Sequence, residues 1–557
     1  MKALQTARFM QRYAALAICV AMMIVTGLLA DQLYLGRVMS LVFAGLTLLG
    51  VHDLLQKRHA ITRNYPVIGH LRFLFEAVRP EVRQYLLETD TETVPFSRAQ
   101  RSLVYQRAKA EPDQRPFGTT LDAYADRYEF MGHSLTPAPL ADPATFRVSV
   151  GGDQCRQPYS ASVLNISAMS FGALSANAIQ ALNLGARLGG FCQDTGEGGV
   201  SPYHLEHGGD LVWQIASGYF GCRNPDGTFS PEKFAERARD PRIRMIEIKL
   251  SQGAKPGHGG ILPASKITPE IAATRGIPMG HDCVSPPSHS RFQTPLELMD
   301  FITELRALCG GKPVGFKTAI GQPWEFMAIV KAMLESGVRP DFIVVDGAEG
   351  GTGAAPVEFA DNMGAPMREA LLFVHNTLVG AGLRDQIRVA AAGKIISAFD
   401  MACAFALGAD WVNSARGFMF AVGCIQARAC HTNRCPTGVA TQDRLRQRAI
   451  VVEDKARRVA NFHRNTLHAL AELLAAAGLQ HPSEITPHHI ARRVGSTEIR
   501  LFSRLFPFLE PGELLRGYSA HAFYADTWRV ARPDSFAPAH LPSGGARPGA
   551  RTAAAAS

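Results

Sequence analysis

The chain has 557 residues, 46% of them hydrophobic and 19% charged, which is enough apolar material for a large barrel with attachments or for several ordinary domains. Lys and Arg outnumber Asp and Glu by 58 to 49, a formal charge of +9. The surplus gathers at the N-terminus and beyond Ala440 rather than in a focused basic stripe interleaved with aromatics, so no nucleic acid is expected as a partner.

Residues 13–30 (YAALAICVAMMIVTGLLA) carry no charge, and residues 33–55 are apolar apart from Arg37, His52 and Asp53 near the ends. Asp31 and Gln32 separate the two runs, while Lys2, Arg8 and Arg12 precede them and Lys57, Arg58 and Arg63 follow. Two runs near spanning length with positive outer flanks predict a transmembrane hairpin over residues 1–60. Both its ends then lie in the cytoplasm, in an inner or plasma membrane, with the lipid bilayer as a partner. Arg37 would reach the outer interface. A buried soluble hairpin and a cleaved signal peptide are the alternatives.

Residues 61–150 mix helical pattern with loops rich in Pro and Arg and read as a connecting region. From about residue 151 to 445 short apolar runs alternate with amphipathic stretches. Strands are expected at 162–169, 244–250, 313–319, 341–347, 388–394 and 410–417, with helices at 175–189, 325–337, 366–381 and 397–408. Repeated strand–helix units demand parallel strands. About seven candidates against the eight of a closed barrel predict an α/β fold of the (β/α)8 type, and no G-x-G-x-x-G supports an open doubly wound sheet. Residues 446–557 form a helical extension and a low-complexity tail, expected to be disordered from residue 542.

In such a barrel, function belongs at the C-terminal ends of the strands. The run VVDGAEGGTGAAP sets Gly347, Gly350, Gly351 and Gly353 directly after one strand, Gly393 and Lys394 follow the next, and Arg416 the last. Glycines let backbone N–H groups approach an anion, and loops after the late strands are the usual phosphate site. EIKLSQGAKPGHGG places Lys249, Gln252 and Lys255 at another strand end, suited to an anion such as a dicarboxylate; a solvated basic loop is the plain alternative. Glu197 in DTGEGGV is a proton donor, a substrate orienter or a turn carboxylate. Lys317 ends a strand with a cation that needs an anionic partner, a flavin or a phosphate.

Ten cysteines are present, seven of them scattered singly from Cys19 to Cys403 in apolar segments, as in a reduced protein. Cys424, Cys430 and Cys435 cluster in GCIQARACHTNRCPTGVATQ. Their spacing is neither a zinc C-x2-C pattern nor the ferredoxin run. Three thiolates suit a cluster with three protein ligands, while spacing alone leaves a disulfide or free thiols open.

Together SAMSFGALS, DTGEGGV, EIKLSQGAKPGHGG, CVSPPSH, DGAEGGTGAAP and GCIQARACHTNRCPTGVATQ resemble the FMN and iron–sulfur synthase part of glutamate synthase over about residues 160–445. The resemblance implies a (β/α)8 barrel holding FMN, with a [3Fe-4S] cluster on Cys424, Cys430 and Cys435. It implies FMN contacts at Met169, Ser170, Lys317, the 347–353 loop and Gly393–Lys394. It places Glu197, Lys249, Gln252 and Lys255 at 2-oxoglutarate. The implied reaction adds ammonia to the keto group, giving 2-iminoglutarate, which hydride from the reduced flavin converts to L-glutamate, an oxidoreduction of the CH–NH2 class.

The departures bear on this expectation. Nothing before residue 160 resembles the family's glutaminase domain, no β-helix follows the barrel, no dinucleotide fingerprint is present, and His258 stands where the family usually has Glu. Ammonia is therefore expected from elsewhere, and electrons from a donor protein such as ferredoxin or a reductase subunit. The alternative is an FMN oxidoreductase of the same fold acting on another keto, imino or hydroxy acid and coupled to membrane electron carriers.

Overall fold

The computed structural model describes residues 12–30, 34–92, 95–517 and 519–539. The expectations for Lys2, Arg8, Asp31, Gln32 and the tail from residue 542 lie outside the described residues. The chain divides into two compact units, residues 1–98 and 99–557.

In the first unit two apolar helices, α1 (Ala14–Leu28) and α2 (Tyr34–Leu55), pack side by side. Their glycines make the approach possible: a Cβ on Gly50 would fall 2.5 Å from Leu16 Cδ1, and one on Gly36 2.7 Å from the Leu29 carbonyl. Arg37 donates to the Ala30 carbonyl at 2.7 Å. After a short helical turn at Ala60–Asn64 comes a longer helix, α3 (Gly69–Val82). Of the two expected spans, one reaches spanning length. The 15 residues of α1 reach about 22 Å at 1.5 Å per residue, short of a hydrocarbon core of about 30 Å. Among the described residues only α2, with 22 residues, is long and apolar enough to cross a membrane.

In the second unit eight parallel strands close into a barrel: β1 (Leu164–Ile166), β2 (Gln193–Asp194), β3 (Leu211–Ile215), β4 (Ile243–Lys249), β5 (Val314–Thr318), β6 (Phe342–Asp346), β7 (Arg388–Ala392) and β8 (Trp411–Ser414). Each pairs with the next, and β8 returns to β1 through Val412 opposite Leu164 and Ser414 opposite Ile166. Closure excludes the open sheet. The strands are short, buried and rich in Val, Ile and Phe, as a sheet covered on its outer face requires. All six strands named from the sequence are present. The two that were not named are β3, a fully buried run, and β2, whose two residues carry no periodicity at all.

Outside the barrel lie, among others, α4 (Ala176–Gly189), α5 (Pro323–Ser336), α6 (Met367–Gly380), α7 (Ala398–Ala406), α8 (Arg416–Val422) and α9 (Val452–Ala476). Local chemistry sets their ends. Ser175 caps α4 by accepting from Ala178 N, Gly190 ends it at φ 67°, and Ser397 and Asp400 form a reciprocal cap on α7. Helix α9 packs on α4 at Gly185, where a Cβ would lie 2.4 Å from Val459 Cγ1. Because all eight strands are parallel, their C-terminal loops open at one mouth.

Candidate active site

The residues singled out in the sequence gather at that mouth. Met169 and Ser170 follow β1, Glu197 follows β2, and Lys249 ends β4 with Gln252 and Lys255 on the loop beyond it. Lys317 lies on β5, the glycines 347–353 follow β6, Gly393–Lys394 follow β7, and Arg416 opens α8. The loops interlock. A Cβ on Gly196 would fall 2.7 Å from Ser170 N, so the loops after β1 and β2 are stacked. A Cβ on Gly253 would fall 1.8 Å from the Gly347 carbonyl, and Gly253 N donates to Asp346 Oδ2 at 3.0 Å. The SQGAKPG loop is therefore seated on the glycine loop after β6.

Glu197, Lys249, Gln252, Lys255 and His258 line one pocket, closed on another side by Pro286 and Pro287. Lys249 Nζ is 2.8 Å from Glu197 Oε2 and donates to Gln252 Oε1 at 2.5 Å. Lys255, 2% exposed, donates to the Gly259 carbonyl at 2.7 Å. Burial would raise the Glu197 carboxyl, but Lys249, with Arg275 and Lys255 farther off, holds it at about 2. Burial pulls the Lys255 ammonium below its usual value against the attraction of Glu197. Two lysines face one ionised carboxylate, so the pocket holds a cationic surplus suited to an anionic ligand.

Beneath this pocket the barrel is polar where a packed apolar layer would be ordinary. Lys317 Nζ is 3.3 Å from Asp346 Oδ2, and Gln214 donates to Glu247 Oε1 at 2.6 Å. Asp194 completes the ring from β2. Burial, and then the Glu247 charge, drive the Asp194 carboxyl well up, and burial also raises Glu247. Burial would lower the Lys317 ammonium, but Asp346, Glu247 and Asp194 outweigh it and raise its pKa. Four strands thus meet through one cation and three carboxyls.

Burial, and then the Arg416 charge, depress the Lys394 ammonium (φ 48°) against Glu349, and burial depresses the Arg416 guanidinium against Asp346 and Glu349. Arg416 Nη2 donates to the Glu349 carbonyl at 2.7 Å, and a Cβ on Gly351 would lie 3.2 Å from Arg416 Nη1. Two desolvated cations beside a glycine loop fit a phosphate.

Cys424, Cys430 and Cys435 are all free thiols, which removes the disulfide alternative in this structure. Burial raises Cys424 to about 12 and raises Cys430, each further raised by its neighbouring cysteine. Burial would raise Cys435 too, but the N–H groups of Ala440, Thr437 and Val439 and the Thr437 hydroxyl hold it below the usual thiol value. Among the described residues no three His, Cys, Asp or Glu side chains converge on a single ion. A cluster asks something different, with thiolates bound to separate irons, and three unpaired thiols on one loop fit that donor set. The loop touches the barrel mouth: a Cβ on Gly353 would lie 3.3 Å from Cys430 Cβ.

The structure adds residues that sequence reasoning missed. Arg275 is buried, donates to the Phe171 carbonyl at 3.3 Å and stacks 5.1 Å from the Phe220 ring. His289 joins the Lys249 carbonyl at 2.9 Å and Tyr219 Oη at 3.2 Å, and burial lowers its pKa to about 4, so it is neutral. Lys266, also buried, donates to the carbonyls of Ala173, Cys430 and Ala440 at 2.9, 3.3 and 3.4 Å. None stands in a local pattern that marks it, although His289 closes the quoted CVSPPSH.

Gly260 explains a second feature of the GHGG run. A methyl there would fall 2.3 Å from Glu197 Oε1. Gly260→Ala is expected to push the flexible Glu197 side chain off Lys249, lowering kcat/KM on the order of 10²-fold with thermal stability little changed. Steady-state kinetics alongside a melting curve checks this; unchanged kinetics would show that the Glu197 position is not needed.

Residues 148–480 match the family model described as the conserved region in glutamate synthase. The chain is 39% identical over 482 residues to the glutamate synthase large subunit-like protein YerD of Bacillus subtilis, covering 80% of this chain and 91% of that protein. This chain belongs to the glutamate synthase family. It is also 38% identical to the archaeal glutamate synthase [NADPH] of Methanocaldococcus jannaschii, over 56% of this chain and 58% of that one. With the glutamate synthase [NADPH] large chain of B. subtilis it shares 33% identity over 56% of this chain and 20% of that one. The chain thus spans less than two thirds of the length of these last two relatives. Within the glutamate synthase family region fall all the strands of the barrel, the lysine pocket and the three cysteines.

Proposed function

We propose that this chain is an FMN- and iron–sulfur-dependent oxidoreductase of the glutamate synthase type, which reductively aminates 2-oxoglutarate to L-glutamate through 2-iminoglutarate, using ammonia and electrons from a separate donor protein. The observation that carries the reading is the Glu197–Lys249–Gln252–Lys255 pocket at the barrel mouth. The family, and the names its relatives bear, support it.

When bound, FMN would supply the hydride and a three-iron cluster the single electrons that replenish it. Lys394, Arg416 and the 347–353 glycines would hold the flavin phosphate, Met169, Ser170 and Lys317 would contact the flavin, and Cys424, Cys430 and Cys435 would ligate the cluster. Lys249 and Lys255 would bind the two carboxylates of the substrate and orient its keto carbon. Glu197, kept ionised by Lys249, would hold the cationic nitrogen of the incoming amine or imine. Gln252, bonded to Lys249, fixes that ammonium's direction.

The test is anaerobic reoxidation of the chemically reduced protein. Reoxidation only when 2-oxoglutarate and ammonium are both present, with L-glutamate formed, is the expected result. His258, on the same pocket, favours a second reading in which another keto, imino or hydroxy acid is the substrate, coupled to membrane electron carriers. Reoxidation by such an acid, and not by 2-oxoglutarate with ammonium, would establish it. Cys430→Ser is expected to remove iron and the cluster's broad visible absorption while FMN stays bound; retained iron would overturn the ligand assignment.

For location we propose a membrane anchor built from α1 and α2, in which α2 spans and α1 packs along it. The length and composition of α2 support this, and Lys57, Arg58 and Arg63 after it favour a cytoplasmic barrel.

A further inference from the structure

Helix α3 stands apart from the rest of the first unit. From Leu71 to Val82 every residue is exposed. Yet Leu71, Leu74, Phe75, Val78 and Val82 fall at i, i+3, i+4, i+7 and i+11, so they share one face, with Phe75 66% and Leu74 55% exposed. Arg72 and Arg79 run as a second stripe along one edge of that face, continued by Arg83 just past its end; Arg72 holds Glu76 at 3.0 Å, and Arg83 pairs with Glu92. A soluble helix buries such a face, and among the described residues this one has nothing of its own unit upon it.

Its position says what covers it. Asp53, in the last turn of α2 and 1% exposed, accepts from Val67 N at 3.0 Å and pairs with His70 Nε2 at 2.9 Å. A Cβ on Gly50 would lie 2.9 Å from Val67 Cγ2. These contacts tie the start of α3 to the end of the apolar α2. A helix leaving that point emerges where a spanning α2 leaves the bilayer, on the side where Lys57, Arg58 and Arg63 lie. An apolar face edged by arginines is the pattern that beds into the acyl boundary while its cations meet anionic headgroups.

We propose that α3 is an interfacial helix. Its Leu71–Leu74–Phe75–Val78–Val82 face lies in the bilayer surface, and Arg72, Arg79 and Arg83 lie at the phosphates of anionic phospholipids. The inference rests on the reading of α2 as a membrane span.

The test uses the full chain in nanodiscs of phosphatidylcholine and phosphatidylglycerol, with lipids brominated at defined acyl depths as quenchers. The four native tryptophans, at 213, 324, 411 and 528, all lie in the second unit and provide a constant background. Three variants report separately: Phe75→Trp on the apolar face, Glu76→Trp off it, and Leu41→Trp in the middle of α2. The expected result is loss of the Phe75→Trp emission with bromine near the headgroup, little loss for Glu76→Trp, and loss for Leu41→Trp only with deep bromine. Leu41→Trp quenched with Phe75→Trp untouched overturns the interfacial helix and leaves the span standing; a blue-shifted Phe75→Trp in that case means that a protein surface covers the face. Equal quenching of Phe75→Trp and Glu76→Trp also overturns it. If neither Leu41→Trp nor Phe75→Trp is quenched, the membrane anchor falls as well.

Discussion

Replacing Lys249 by Met is expected to lower kcat/KM for the keto acid on the order of a hundredfold or more, because the substitution removes the desolvated cation that pairs with Glu197 and that we propose binds a substrate carboxylate. The nearly isosteric Met keeps the volume of the pocket wall and isolates the charge. The same change acts on Glu197. With Lys249 present, that carboxyl sits at about 2 and stays ionised through mildly acid pH. A carboxyl lowered in the folded state contributes stability that is present above its unfolded pKa and is lost as the pH falls through about 2. Without Lys249, burial becomes the dominant influence and raises it. The acid limb of the kcat/KM profile is therefore expected to move to higher pH in Lys249→Met. A profile that keeps its acid limb while losing amplitude would show that Lys249 binds substrate only and does not hold Glu197 ionised.

Replacing Lys317 by Met is expected to have the largest effect on stability, about 3–5 kcal/mol, since it strips the cation from Asp346, Glu247 and Asp194 in the barrel interior. The remaining carboxyls are expected to take up protons on folding. Their folded pKa values then lie above the unfolded ones, so the deficit grows as the pH rises and shrinks in acid. Urea unfolding at several pH values reads both the size and the slope. The Asp346 carboxylate also accepts from Gly253 N, so the SQGAKPG loop is expected to loosen in the same variant, seen as faster amide exchange across residues 251–260. A small deficit, flat in pH, would mean that the carboxyls are neutral in the native barrel.

Much of the site was legible because the chain places its chemistry beside recognisable strands. Apolar runs such as FIVVD at Phe342–Asp346 announce a buried strand, and the polar or glycine residues after each must then lie at the mouth. That logic reached the lysine loop, Lys317, the glycines, Lys394 and Arg416 without a single distance, whereas Glu197 was marked only by the glycines around it. It did not reach Arg275, His289, Lys266 or the carboxyls below Lys317. Each of those acts through a partner far along the chain: Lys266 touches Ala173 and Cys430, separations of 93 and 164 residues. Asp194 belongs to a strand of two residues, too short for any period. The first apolar run was read as a span from its 18 uncharged residues, but the helix in it ends at Leu28, since apolar composition does not itself set where a helix stops.

The amino-acid sequence by itself determined the alternation of strands and helices, the loops that bear glycine, lysine and cysteine, and the apolar character of the N-terminus. These depend on residue type and on periods of two or 3.6, which are local. Tertiary structure alone decided that β8 closes on β1, that Lys249 meets Glu197 across 52 residues, and that Gly253 seats the SQGAKPG loop on Gly347. Closure and pairing of that kind are set by packing and charge satisfaction among distant segments, which no local pattern encodes.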